Sequence, residues 1–251
     1  MDKNMTDLAR RNFMSKAVAA AGLTVIPGVM LYEVQARPAD QAATNKVRWG
    51  MLIDTNKCED GCNDCVTACQ TENGWGSGSN NEQKSSDKQK AQWIRKVKLT
   101  DKQTGHVQSL PLMCQHCETA PCVDVCPTGA SMKRADGIVL VDKHTCIGCR
   151  YCMMACPYKA RSFIHEDMHD QEVHAPRGKG TVESCTMCVH RVDKDGTPAC
   201  VEACTKADKK AMMFGDLNDP SSAISIRLKE FGGEQIRADL GLNTGVRYQG
   251  L

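Results

Sequence analysis

An α+β fold assembled from two small cysteine-rich modules is what the sequence predicts, and three observations predict it. The chain carries sixteen cysteines that fall into four groups of four, with none left over. Short apolar runs that read as strands lead into two of those groups, and matching patterns recur in the two halves. Aromatic residues occupy only 4% of the 251 positions. Large rings normally supply much of the area that a core buries, so bonds through sulfur must add stability that burial alone does not.

The groups are Cys58-x3-Cys62-x2-Cys65-x3-Cys69, Cys114-x2-Cys117-x4-Cys122-x3-Cys126-Pro127, Cys146-x2-Cys149-x2-Cys152-x3-Cys156-Pro157 and Cys185-x2-Cys188-x11-Cys200-x3-Cys204. The third is the bacterial ferredoxin run C-x2-C-x2-C-x3-C-P. There, three close thiolates wrap one face of a cuboidal cluster, while the fourth points away and ligates a neighbouring cluster. The spacing therefore predicts [4Fe–4S] clusters in pairs, and the fold class becomes tandem bacterial ferredoxin-like modules with loop insertions and a C-terminal arm. Structural zinc uses two C-x2-C pairs a longer span apart; the fourth group alone would suit it, but three cysteines within seven residues do not. Disulfides suit exported cysteine-rich chains, yet cysteines this close mostly cannot bridge without distorting the backbone. A radical-enzyme loop, which Cys58, Cys62 and Cys65 mimic, would need an open iron that Cys69 and Cys204 stand ready to close.

Ile53-Asp54-x3-Cys58 recurs as Val141-Asp142-x3-Cys146, and the stretch from Ala120 to Cys126 echoes that from Pro198 to Cys204. The four-cluster body is expected over residues 47–215, as repeat units 47–134 and 135–215, with an arm at 216–251. Asp54 and Asp142 suit capping of backbone N–H groups at the turn. Residues 74–92, rich in Gly, Ser, Asn, Gln and Lys, read as a surface loop. A short helix is expected from Ser221 to Phe231, and the last twenty residues as an arm over the domain or a partner. His165 and His169, four apart, would share a helix face and suit a metal; solvated loop histidines, with His174, are the plainer reading.

Residues 1–36 read as an export signal. Arg10 and Arg11 precede a mildly apolar stretch at 17–32, and Val34-Gln35-Ala36 supplies a small-residue cleavage pattern. Paired arginines before a weakly hydrophobic stretch resemble a twin-arginine signal, although Ala9 stands where Ser or Thr is usual. The stretch falls short of the roughly 20 residues that cross a bilayer comfortably; a retained anchor is the other reading. Twin-arginine transport carries folded proteins, so clusters inserted in the cytoplasm would reach the periplasm intact.

Formal net charge is +2, which is no signature of a nucleic-acid partner. Beyond the signal, 28 basic and 27 acidic residues remain. Four roughly dianionic clusters would bring the mature protein to about −7. Lys143, Arg150, Lys159, Arg161 and Arg191 lie near cysteines in sequence and suit either offsetting that charge or plain solvated surface.

The stretches Cys114-Gln-His-Cys117-Glu-Thr-Ala-Pro-Cys122, Cys126-Pro-Thr-Gly-Ala130 and Cys146-Ile-Gly-Cys149-Arg-Tyr-Cys152-Met-Met-Ala-Cys156-Pro-Tyr158 resemble the four-cluster iron–sulfur subunits of dimethyl-sulfoxide-reductase-type membrane oxidoreductases, as does the segment at 215–220. Within that family the signal and the Cys58–Cys62 spacing look most like the DsrO type of sulfur-metabolising prokaryotes, with the formate-dependent nitrite reductase subunit close behind. The resemblance, which spans roughly residues 47–220, implies ligand sets. Cys58, Cys62 and Cys65 would join Cys204, and Cys69 would join Cys185, Cys188 and Cys200. Cys114, Cys117 and Cys122 would join Cys156, and Cys146, Cys149 and Cys152 would join Cys126. It further implies four [4Fe–4S] clusters that relay single electrons between a polytopic quinone-reactive membrane subunit and a redox partner of sulfur metabolism, such as a multihaem cytochrome c. No catalytic residue and no small-molecule substrate of its own are expected. The alternatives are a subunit of a periplasmic nitrite or molybdopterin reductase, and an enzyme that binds substrate at an open iron. The first group carries one extra residue, and neither Cys69 nor Cys204 precedes proline, so the first set departs most from the family pattern.

Overall fold

The computed structural model describes residues 42–76, 84–169 and 171–251; the expected export signal at 1–36 lies outside them. The first apolar run becomes a central strand. β1 (Trp49–Asp54) is buried from Gly50 to Asp54, and a strand buried on both faces reads as continuous apolar sequence. It runs between β8 (Met212–Asp216), antiparallel with Ile53 opposite Met212, and β9 (Val246–Gln249), parallel with Met51 opposite Val246. The C-terminal arm thus completes the main sheet, in the order β8-β1-β9.

Three small antiparallel hairpins complete the strand inventory of the described residues. β2 (Ile94–Thr100) pairs with β3 (Val107–Met113), β4 (Ser131–Lys133) with β5 (Val139–Val141), and β6 (Ser162–Phe163) with β7 (Val182–Glu183). Pro111 sits within β3; a two-stranded ribbon tolerates it because one strand edge needs no N–H donor.

The helices are short and carry the cysteines. α1 (Asp64–Asn73) holds Cys65 and Cys69, α2 (Pro121–Asp124) Cys122, α3 (Tyr151–Ala155) Cys152, and α5 (Ala199–Lys206) Cys200 and Cys204. α4 (Val189–Val192) follows Cys188 directly. The expected terminal helix is α6 (Ala223–Phe231), opened by Ser222, whose hydroxyl accepts from the Ser225 N–H.

The tandem halves interlock. β1, which leads into the first cysteine group, pairs with β8, which follows the fourth; β5, which leads into the third, pairs with β4, which follows the second. α1 packs on α5 and α2 on α3. A module made from the first and fourth groups, here called outer, therefore brackets in sequence an inner module made from the second and third. Asp54 and Asp142 cap as expected, accepting from the N–H groups of Asn56 at 3.2 Å and His144 at 2.8 Å.

Four of the few aromatics are buried in the core: Trp75, Trp93, Tyr158 and Tyr248. Trp75, Trp93 and Tyr248 are among the largest fully buried side chains. Trp75 corrects the expectation of a surface loop at 74–92: the segment's polar composition hides an anchor at its start. Tyr248 fastens the arm, since its hydroxyl donates to the Pro111 carbonyl and accepts from Gln115 Nε2, each at 3.1 Å. Tyr248→Phe removes the hydroxyl's donation to the Pro111 carbonyl and leaves Gln115 Nε2 with only its bond to the Met113 carbonyl, at a cost of about 2 kcal/mol. That is roughly 4–8 °C in a thermal melt, with proteolysis of the C-terminal strand accelerated; an unchanged melt would show that the arm is not held there.

Candidate metal centres

Two helix pairs bring the cysteines together. Cysteines four apart lie on one helix face, and Cys65 and Cys69 on α1 meet Cys204 and Cys200 on α5. Electrostatic contact follows the geometry. The Cys65 thiol is pushed up to about 12, first by burial, with Lys96 opposing and Cys58, Cys204 and Cys62 as thiol neighbours. Burial likewise drives the Cys69 thiol to about 12, with Cys188 the nearest thiol influence. Cys200 is held well above its ordinary value by burial and then by Cys69, Cys185 and Cys188.

The inner module repeats this arrangement. Burial pushes Cys117 up to about 12, and its thiol neighbours are Cys122 and Cys156; Cys114, also near 12 through burial, feels the same two. Cys152 is raised by burial and has Cys146 and Cys126 as neighbours. Burial also works against the charge on Cys126, but hydrogen bonds from the Ser131 N–H and Thr128 outweigh it and hold that thiol below its ordinary value. Thiols from different loops thus neighbour one another in both modules, and none of the sixteen cysteines is in a disulfide.

A backbone device shared by all four loops was not legible in the spacing. The residue just before the second cysteine is left-handed in each: Gly61 (φ 82°), His116 (φ 45°), Gly148 (φ 72°) and Met187 (φ 55°). Such a conformation turns successive N–H groups to one side and makes an anion-receiving concavity. It also accommodates the extra residue of the first group, because Gly61 takes the same place before Cys62 that Gly148 takes before Cys149. At Gly148 even a Cβ has no room, as it would lie 2.2 Å from the Gly180 carbonyl oxygen.

The donor chemistry fits iron–sulfur clusters. Sulfur atoms receive N–H donors from Ser131 (to Cys126, 3.3 Å), Val182 (to Cys146, 3.4 Å), Met187 (to Cys185, 3.4 Å) and Ala211 (to Cys204, 3.3 Å). Side chains add Trp75 Nε1 to Cys69 at 3.3 Å, Lys96 Nζ to Cys58 at 2.7 Å and an Arg161 nitrogen to Cys122 at 3.1 Å. Donors of this kind stabilise cluster-bound thiolate and tune its potential. A buried thiol without a cation resists ionisation, and a bound metal removes that obstacle.

The chain matches the 4Fe-4S dicluster domain twice, over residues 57–130 and 105–217. It is 39% identical to the Hdr-like menaquinol oxidoreductase iron-sulfur subunit 1 of Archaeoglobus fulgidus, covering 97% of this chain and 98% of that protein. It is 33% identical to the B subunit of the tetrathionate reductase of Salmonella typhimurium, covering 98% and 89% respectively. The chain belongs to the dimethyl-sulfoxide-reductase-type iron–sulfur subunits. A third member, the arsenate respiratory reductase iron-sulfur subunit of a Shewanella species, is 35% identical over 80% of this chain and 96% of its own length. Members of the family are electron-transfer subunits of oxidoreductase complexes, not the catalytic ones. Two dicluster domains and sixteen cysteines fit four [4Fe–4S] clusters.

Of the five cations near cysteines in sequence, the structure distributes the roles. Arg161 is buried against sulfur. Lys143 donates to the Val182 carbonyl at 3.1 Å, and burial draws its ammonium down to about 8. Arg150 stacks 3.8 Å over the Phe163 ring, and Lys159 takes a left-handed turn. Arg191 forks Glu72 and reaches Glu202 at 2.7 Å. Lys96 and Trp75 were missed: Lys96 is 38 residues from Cys58, and nothing local marks either as a sulfur partner.

The group with metal-ligand geometry among the described residues is Glu72, His174 and His190, whose ligand atoms lie within 4.8 Å of one another. It does not include the His165–His169 pair that the sequence suggests; the His165 ring packs against Phe163. Arg191 already occupies both Glu72 oxygens, at 2.6 and 2.5 Å. His190 shares one of them at 2.7 Å. The group is therefore an ion-pair latch joining α1, α4 and the loop that bears His174. Hydrogen bonding to Arg191 holds the Glu72 carboxyl at about 2, against an ordinary 4.5. A carboxyl so depressed contributes fully above pH 4.5, and its contribution is lost as pH falls from 4.5 toward 2. Glu72→Gln should cost about 1–2 kcal/mol after solvent screening at pH 7. The gap from wild type, measured as the temperature of cluster bleaching, should narrow below pH 4.5; a gap that widens in acid would contradict the latch.

Proposed function

We propose that the four thiol sets are the ligand sets of four [4Fe–4S] clusters and that the chain relays single electrons between a quinone-reactive polytopic membrane subunit and a periplasmic redox partner of sulfur metabolism. The ligand sets are Cys58, Cys62, Cys65 and Cys204; Cys69, Cys185, Cys188 and Cys200; Cys114, Cys117, Cys122 and Cys156; and Cys126, Cys146, Cys149 and Cys152. The observation that carries this reading is the exchange of cysteines between paired helices. Each outer helix, and each inner helix together with the cysteine that follows it, feeds two sets, so neighbouring centres are tied to one another at short range, as a relay needs. When bound, the clusters supply one-electron exchange; the protein positions them and sets their potentials.

Membrane attachment through a partner is supported by the menaquinol named for the Archaeoglobus relative, and no helix of the described residues is long and apolar enough to cross a membrane. The tetrathionate reductase relative supports a sulfur-compound setting. Periplasmic placement rests on Arg10 and Arg11. The working body is residues 47–215, with 216–251 as the arm that closes its sheet.

Cys149 is the exposed cysteine, and close to it in sequence three apolar side chains stand open beside the exposed Arg150: Ile147 is 67% exposed, Tyr151 53% and Met154 65%. This edge suits docking of a redox partner, where aromatic and methionine side chains are enriched. Tyr151→Gln with Met154→Gln, which add no charge beside the clusters, should weaken docking by about 2 kcal/mol, roughly thirtyfold in affinity, with iron content unchanged. Co-purification from detergent-solubilised membranes tests the whole reading: full-length protein should bring a quinone-reactive membrane subunit with it. Arg10→Lys with Arg11→Lys should leave iron-loaded protein in the cytoplasm. Unaltered export, or isolation without a membrane partner, would overturn the periplasmic relay.

A further inference from the structure

Arg161 lies in the stretch that follows Cys156, between α3 and β6. It is only 6% exposed. A guanidinium is always charged, and burying a charge is costly unless it is paired. The other deeply buried arginine obeys this rule: Arg177 holds Glu183 through two hydrogen bonds, of 2.8 and 3.0 Å. Arg161 has no carboxylate among the described residues. Its neighbours are sulfur: one nitrogen donates to Cys122 Sγ at 3.1 Å, and the Cys114 and Cys152 thiols add to the same field. Nε and Nη1 are buried and find no acceptor.

The remaining groups that face Arg161 do not offer a counter-charge. Lys143 is a second cation in the same field. His116 is neutral at ordinary pH, drawn down to about 3 by burial and then by the Arg161 charge itself. Cys114 and Cys122 belong to one ligand set and Cys152 to the next. The guanidinium therefore stands between two sets, with unmet donors and an unmet positive charge.

We propose that Arg161 is the shared counter-charge of the two inner-module clusters, raising the reduction potential of both together. This rests on the ligand sets above. A planar fork with five N–H donors spreads its charge and donors over a wider reach than the compact three-donor ammonium of lysine. Electrostatic stabilisation favours the more negative, reduced state of each neighbour. Because one cation serves both, it lifts the pair without separating its members, and the pair stays matched for electron exchange while standing apart from the outer module. The outer module uses a different cation for a single set, Lys96 at Cys58.

The test is an anaerobic, EPR-monitored redox titration of full-length holoprotein as wild type, Arg161→Gln and Arg161→Lys, with iron and acid-labile sulfide measured on each. Arg161→Gln should keep its iron and move two of the four centres to lower potential. At a fixed poise each should show at least a tenfold lower reduced-to-oxidised ratio, ~59 mV for a one-electron couple. The other two should not move. Arg161→Lys keeps the charge without the fork, so one or both of the same pair should move, by less. Four unmoved potentials in either loaded variant, a single moved centre in Arg161→Gln, or an equal shift of all four would overturn the proposal. If a variant loads poorly, loss of about half the iron supports sharing by one pair, and loss of all of it overturns it. Wild type without sulfide would instead refute the cluster reading itself.

Discussion

A thiol buried among other thiols is the constraint from which the rest of this molecule follows. Burial and mutual repulsion keep such groups protonated, and only a metal centre lets them carry charge together. The chain nevertheless buries eleven of its sixteen cysteines. It does so with cysteines four apart on or just beyond short helices that pack in pairs. Strands are minimal because they need only hold the entry and exit of each cysteine loop; the single larger sheet is completed by the C-terminal arm. With so few aromatics, the core has sulfur where other proteins have rings.

Charge is managed by placement more than by number. The near-neutral polypeptide becomes strongly anionic once loaded, and the compensating cations are not spread evenly. Lys96 and Arg161 touch sulfur; Arg191 is diverted to a carboxylate latch that ties ligand-bearing helices together; Arg177 is neutralised by Glu183. Each module thus receives its own electrostatic setting, which is the lever a protein has over the potentials of otherwise identical clusters.

Much of this was legible from residue order. The four cysteine groups, the strands before Cys58 and Cys146, the Asp54 and Asp142 caps and the helix opened by Ser222 are local features, and local spacing reports local geometry. What stayed hidden is long-range. That β1 pairs with β8, and that Lys96 reaches Cys58, are decided by how the modules interlock. Trp75 was masked by its polar neighbours, and Met187 and His116 gave no hint of a left-handed backbone because neither is glycine. His174 reaches Glu72 across a hundred residues, where no local spacing marks it.

The central claim is that these thiols hold iron–sulfur cubes. Quantifying iron and acid-labile sulfide in oxygen-free protein tests it most directly. About sixteen of each per chain are predicted from four four-iron clusters; metal without sulfide, or cysteines bonded to one another, would contradict it.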